Sequence, residues 1–254
     1  MPFDNFFAYS LAGGTATSPT QPTDPGTDPT TAAVPTNGLV AYWNMDEESG
    51  DRIDSVGNNT LFDATNVASR PGLLALEAHF VESSQQYLTT NNNVATSAGS
   101  FTVGGWVNFE YVPPIVNFPI FAEYVENSQG FQILLQQDGN FRFRTSTDGG
   151  ATNSVLLSTS TPCQAQTNYL VVGSYNSDTG EMILNINRGE EIVSVFQNPG
   201  GLNTSSEPFT VGGKITDATF HSGGIDEVFL YDRVLTEAEI AQIYNNGNGS
   251  TYVV

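Results

Sequence analysis

Gly223-Gly224-Ile225-Asp226-Glu227-Val228-Phe229-Leu230-Tyr231-Asp232-Arg233-Val234-Leu235-Thr236 is the stretch whose reading decides the fold. Up to Tyr231 it is an apolar, β-branched and aromatic run interrupted by an acidic pair, which reads as a core strand. Thr236 then offers a helix N-cap, and Glu239 closes a capping box with it. Ile240, Ile243 and Tyr244 fall on one face of the helix that follows, and Gly247 offers its C-terminal stop.

Upstream, the chain reads as further short strands. Phe101, Val103, Val107 and Phe109 alternate onto one face, leaving Trp106 and Asn108 on the other. Residues 130–137 and 141–146 flank Asp138-Gly139, which predicts a hairpin closed by a type I′ turn. In its second strand Phe141 and Phe143 face one way, Arg142 and Arg144 the other. Residues 168–175 and 181–188 form another hairpin around Asp178-Thr179-Gly180. Gly38-Leu39-Val40-Ala41-Tyr42-Trp43 is the opening strand. Many short strands with one terminal helix predict an all-β, two-sheet antiparallel sandwich.

The first 36 residues differ. They hold no Lys or Arg, and residues 15–36 are rich in Thr, Pro, Ala, Asp and Gly, which predicts an extended linker. Ahead of it, residues 1–14 carry Phe3, Phe6, Phe7 and Tyr9, either a frayed terminus or an apolar anchor for a partner. The start lacks a basic n-region and a sustained apolar core, so no signal peptide is expected. The organisation expected is therefore an anchor segment (1–14), a linker (15–36) and one domain (37–254).

With 27 acidic against 7 basic residues, the 254-residue chain carries a formal charge of −20. Phosphate backbones and anionic membrane surfaces repel such a chain, so neither nucleic acid nor membrane is an expected partner. Cys163 is the one cysteine, which excludes an internal disulfide. No basic neighbour is at hand in sequence to activate its thiol, and it is expected to be inert. Two histidines, His79 and His221, make a zinc site or a Ser/His/Asp arrangement a poor expectation.

Four blocks carry a resemblance. Residues 38–50 with Asp54-Ser55-Val56-Gly57-Asn58, then 101–107, then 169–175 with Thr179-Gly180, and last 223–236 with Glu239-Ile240 and Tyr244 stand in that order. Together they resemble the laminin-G-like, concanavalin A-like jelly-roll family. The resemblance implies two sheets packed face to face, with function carried by rim loops. Its members are mostly non-catalytic modules that bind glycans or proteins, and many sit on extracellular or virion surfaces.

Candidate sites follow. The resemblance implies a structural calcium ion held by Asp226 with Asp54 or Asn58; the alternative is that these residues merely shape turns. Trp106 with Asn108, Glu110 and Tyr111 is a candidate glycan platform, unless Trp106 is core; Tyr124 and Asn91-Asn92-Asn93 are others. Glucanases of this architecture place two carboxylates on one strand, and no such run occurs here. Asp226 and Glu227 are adjacent, so strict alternation points them to opposite faces. The function expected is a non-catalytic adhesion protein, displayed on a virion as a capsid decoration or fibre subunit through residues 1–36. A homo-oligomer or many copies on an assembly would go with it. The alternatives are a bacterial extracellular carbohydrate-binding module or adhesin, and a divergent glycoside hydrolase.

Overall fold

Alternating apolar residues build two antiparallel sheets in this computed structural model, which describes residues 33–94, 99–112, 116–125, 128–146, 154–195, 207–214 and 218–253. The chain divides into two units, residues 1–30 and 31–254, and all described residues lie in the second. Phe3, Phe6, Phe7 and Tyr9 lie outside the described residues.

The first strands are β1 (Leu39–Trp43), β2 (Ala68–Pro71), β3 (Leu76–Phe80), β4 (Leu88–Thr89) and β5 (Phe101–Val107). Next come β6 (Phe118–Val125), β7 (Ser128–Leu135), β8 (Phe141–Ser146), β9 (Ser154–Ser158) and β10 (Tyr169–Asn176). The last are β11 (Glu181–Ile186), β12 (Glu190–Val195), β13 (Thr210–Val211), β14 (Gly213–Lys214), β15 (Thr219–Phe220) and β16 (Gly223–Tyr231). A single α-helix, α1 (Glu237–Tyr244), follows among the described residues.

An eight-stranded sheet runs β12-β11-β10-β5-β16-β3-β2, with β1 also paired to β16. The second sheet runs β4-β13-β6-β7-β8-β9. β16 is the organising strand. One side pairs with β5, while its other side takes β3 at Gly223–Ile225 and β1 at Val228–Tyr231. Phe101, Val103, Val107, Phe131, Phe143, Ile225 and Leu230 meet between the sheets as one core.

The outer face of the eight-stranded sheet is buried too. Tyr42, Trp106, Leu170, Val172, Phe229 and Tyr231 pack there against Leu235, Ile240 and Ile243 from the helical segment. Val34 joins this cluster, and its N–H donates to the Thr251 carbonyl at 3.1 Å. The body thus takes in residues that composition alone places in the linker.

Three local expectations change. The β7–β8 hairpin forms, but only Gly139 of its turn has positive φ (81°), and its N–H reaches the Gln136 carbonyl at 2.8 Å. That is a turn followed by a left-handed glycine rather than type I′. The capping box of Thr236 and Glu239 is present, yet the helix stops at Asn245 in the left-handed region, ahead of Gly247. Finally, β16 carries a bulge between Asp226 and Phe229, with Glu227 at φ 50°. Ile225 and Val228 therefore both enter the inner core, and simple alternation of Asp226 and Glu227 is broken. No described helix is long and apolar enough to cross a membrane.

Candidate functional site

The outer face of the eight-stranded sheet has two halves. Helix α1 covers the apolar half, while polar side chains occupy the other, at the end where β16 pairs with β3. Arg70 stands directly opposite Glu77 across β2 and β3. Asn108 and Glu110 continue the line of β5, their N–H groups donating to the Gly224 and Ser222 carbonyls at 2.9 and 3.0 Å. Asn168 and Gln166 close the far side. Arg70, Glu77, Asn108, Glu110, Gln166 and Asn168, with Pro71, Gly72 and Phe109, line a cleft of about 490 Å³.

Arg70 is the hub. Its Nε donates to Glu77 Oε1 at 2.6 Å, one terminal nitrogen to Glu110 at 3.1 Å and the other to Asn108 Oδ1 at 2.8 Å. Asn108 Nδ2 in turn donates to Glu77 Oε2 at 2.8 Å and to Asn168 Oδ1 at 3.2 Å. Such a closed network fixes rotamers, so its donors and acceptors are held in place before any ligand arrives. His79 Nε2 lies 2.8 Å from Glu110 Oε1. That contact, and after it Arg70, holds the Glu110 carboxyl below the usual range despite partial desolvation. Behind the wall, His221 is fully buried and its Nε2 meets the Asn108 carbonyl at 3.0 Å. Desolvation lowers its pKa to about 4, so it is neutral and buttresses the strand as an N–H donor.

Next to Gly72 in the cleft wall lies Asp226, 1% exposed. Desolvation first, then the charges of Glu77 and Asp46, push its pKa up to about 8. Leu74 N–H donates to Oδ2 at 3.3 Å, while Oδ1 is buried without a partner among the described groups. An unmatched carboxyl oxygen beside two other acids either carries a proton or meets a cation. Among the described residues no group of three or more His, Cys, Asp or Glu side chains is arranged to hold a metal ion. A hard cation against Asp226 would therefore draw further oxygens from backbone carbonyls or water.

The structure gives the sequence candidates different fates. Asp54 accepts from the N–H groups of Tyr42, Val56 and Asn59 and from Asn59 Nδ2 at 2.9–3.1 Å, which makes it the organiser of its own loop. Asn58 is exposed on that loop, and Asp226 has Leu74, Glu77 and Asp46 as neighbours instead. Trp106 is 3% exposed and stacks on Tyr244 at 5.7 Å, so it is core and presents no platform to a sugar. Asn108 and Glu110 do line the cleft. Tyr111 is 40% exposed, and its hydroxyl donates to Glu82. Asn91, Asn92 and Asn93 are exposed, and the Tyr124 side chain lies outside what is described. Cys163 is buried, with its thiol pushed up to about 11. Sequence reasoning missed Arg70, Glu77, Gln166 and Asn168. The alternation Glu77-x-His79 was the available signal for part of this set.

A family model described as the concanavalin A-like lectin/glucanases superfamily (laminin G 3) matches residues 82–241. A search of the curated proteins returns no match. Among solved structures, the binding domain of paraclostridial mosquitocidal protein 1 aligns with TM-score 0.68 and 17% identity over 83% of this chain and 52% of that one. The binding domain of botulinum neurotoxin DC in complex with SialylT aligns with TM-score 0.64 and 16% identity, over 83% and 52% of the two chains. The chain spans about half the length of these toxin binding domains. Domain 4 of AbnA, a GH43 extracellular arabinanase from Geobacillus stearothermophilus in complex with arabinotriose, aligns with TM-score 0.61 and 19% identity. That match covers 80% of this chain and 96% of the other. At these identities the likeness is one of fold. The family match extends over more than half of the chain, and it includes β16, whose pairings organise the larger sheet: the protein belongs to the concanavalin A-like lectin/glucanase superfamily.

Proposed function

We propose that this chain is a non-catalytic glycan-binding module whose saccharide lies in the Arg70–Asn168 cleft. The observation that carries the reading is the cleft itself: a concavity of about 490 Å³ whose amides, carboxylates and guanidinium are already oriented by one another. Sugar hydroxyls are matched by donors and acceptors at fixed spacing, and Pro71 supplies an apolar surface beside them. Fold neighbours that bind SialylT or arabinotriose are consistent with this use of the scaffold.

A non-enzymatic role is supported by the carboxylates. A glycosidase needs one carboxyl kept protonated as general acid. Glu110 is shifted the other way, and Glu77 is tied to both Arg70 and Asn108. Asp226 has the raised pKa but is 1% exposed. A calcium ion against Asp226 is part of the proposal, as a stabiliser of the cleft wall.

Placement on a virion, with residues 1–36 as anchor to capsid or other assembly proteins, rests on the arm's composition and the strong acidity of the chain. The named neighbours are toxin binding domains and an arabinanase domain, which favours an extracellular binding module or adhesin. The test is a panel of neutral and sialylated oligosaccharides titrated against wild type and Asn108→Ala. The expected result is a binder whose affinity drops at least tenfold in the variant. Equal affinity in the two proteins would refute the cleft as the site.

A further inference from the structure

A further concavity among the described residues lies on the outer face of the six-stranded sheet, whereas strands of the eight-stranded sheet line the first cleft. Asn117, Leu134, Gln136, Arg142, Arg144 and Leu156 line a groove of about 300 Å³. The pattern of β8 creates it. Phe141 and Phe143 enter the core between the sheets, and Arg142 and Arg144 therefore face outward. Register places Leu134 beside Arg142, and Leu156 beside Arg144. Two arginines whose Cα positions lie about 7 Å apart along one strand thus stand between two aliphatic side chains. Leu156 is 49% exposed, a large apolar group left in water beside a charged row.

The charge distribution makes this row unusual. Only 7 residues of the chain are basic, against 27 acidic ones. Arg52 is wholly buried, and Arg70, Arg142 and Arg233 are each ion-paired with a carboxylate. Arg142 and Arg144 place two of the few cations on a single outward face. Arg142 donates to Asp138 at 2.7 Å, and its Nε has no acceptor among the described groups.

From this juxtaposition we propose that the sheet face is a second ligand site, selective for an anionic saccharide. The carboxylate or sulfate of the sugar meets the Arg142–Arg144 pair, its ring lies on Leu156 and Leu134, and Gln136 and Asn117 take its hydroxyls. Guanidinium forks match paired oxygens of a carboxylate or sulfate, and the flanking aliphatic groups suit the apolar face of a pyranose. The strong net negative charge disfavours a nucleic acid or anionic vesicle as occupant, since a large polyanion would be repelled by the rest of the surface.

The test is calorimetric titration of the full chain with trigalacturonate, a sulfated disaccharide and neutral galactotriose. Wild type, Arg142→Gln/Arg144→Gln and Asn108→Ala are compared, each checked for an unchanged melting curve. The expected result is binding of an acidic probe that weakens at least tenfold in the double variant and again on raising salt. Binding of trigalacturonate alone assigns a carboxylate ligand, and binding of both acidic probes assigns either anion. Salt dependence within wild type keeps the test decisive if the double variant misfolds. Absence of acidic binding, acidic affinity unchanged in a folded Arg142→Gln/Arg144→Gln protein, or loss of acidic binding in Asn108→Ala would overturn the proposal.

Discussion

Gly224 leaves the space that the Glu77 carboxylate fills: a β-carbon built at position 224 would overlap all three atoms of that carboxyl group. The glycine N–H also donates to Asn108 Oδ1 at 3.0 Å, so one residue both makes room for the network and holds part of it. Gly224→Ala is expected to displace Glu77 from Arg70 and lower stability by about 1–3 kcal/mol, the usual range for overpacking. Glycan affinity should fall with it. Chemical denaturation and titration of the same preparation measure both, and a variant with wild-type stability and affinity would contradict the assignment.

Trp106→Ala should cost about 3–5 kcal/mol, as for other buried aromatics, because the indole fills the layer beneath α1. Trp106→Phe should retain most of that stability and all of the glycan affinity. Selective loss of binding in a normally stable Trp106→Phe protein would restore the platform role.

Asp226 and Glu227 bear on pH dependence. Both carboxyls are buried, and desolvation raises each to about 8. Their unfolded values are about 4. The folded state therefore binds more protons between those limits. The stability they contribute is fully present below pH 4 and is lost as pH rises through about 8. Melting temperature should fall between pH 6 and pH 9, and the fall should shrink in Asp226→Asn. A flat profile in wild type would show that the charges are compensated.

A cation at Asp226 has its own signature. At pH 8, added calcium should raise the melting temperature of wild type, and chelator should lower it, with neither effect in Asp226→Asn. An unchanged transition in wild type removes the ion from the description.

Much of this architecture could be read from the chain before the structure. Alternation at Phe101, Val103, Val107 and Phe109 separated the inner core from the outer face, and Thr236 with Glu239 announced the helix start, because both signals are local. The cleft was half visible. Asn108 and Glu110 share the parity of Trp106, which placed them on one face but could not show that a helix covers only the tryptophan's end. Arg70, Glu77 and Asn168 reach the site through pairing of β2, β3 and β10, which no local pattern encodes. The bulge at Glu227 escaped for a related reason. A left-handed residue without glycine gives no sequence cue, and it shifts the parity of all that follows.

The most direct test is to map, by amide chemical-shift changes, where the tightest neutral binder from the oligosaccharide panel lands on the isotopically labelled protein. The expected result is a contiguous set of shifts at Arg70, Gly72, Glu77, Asn108, Glu110 and Asn168. Shifts confined to the exposed Asn91-Asn92-Asn93 loop or to the Asp54 turn, with the cleft residues unmoved, would contradict it.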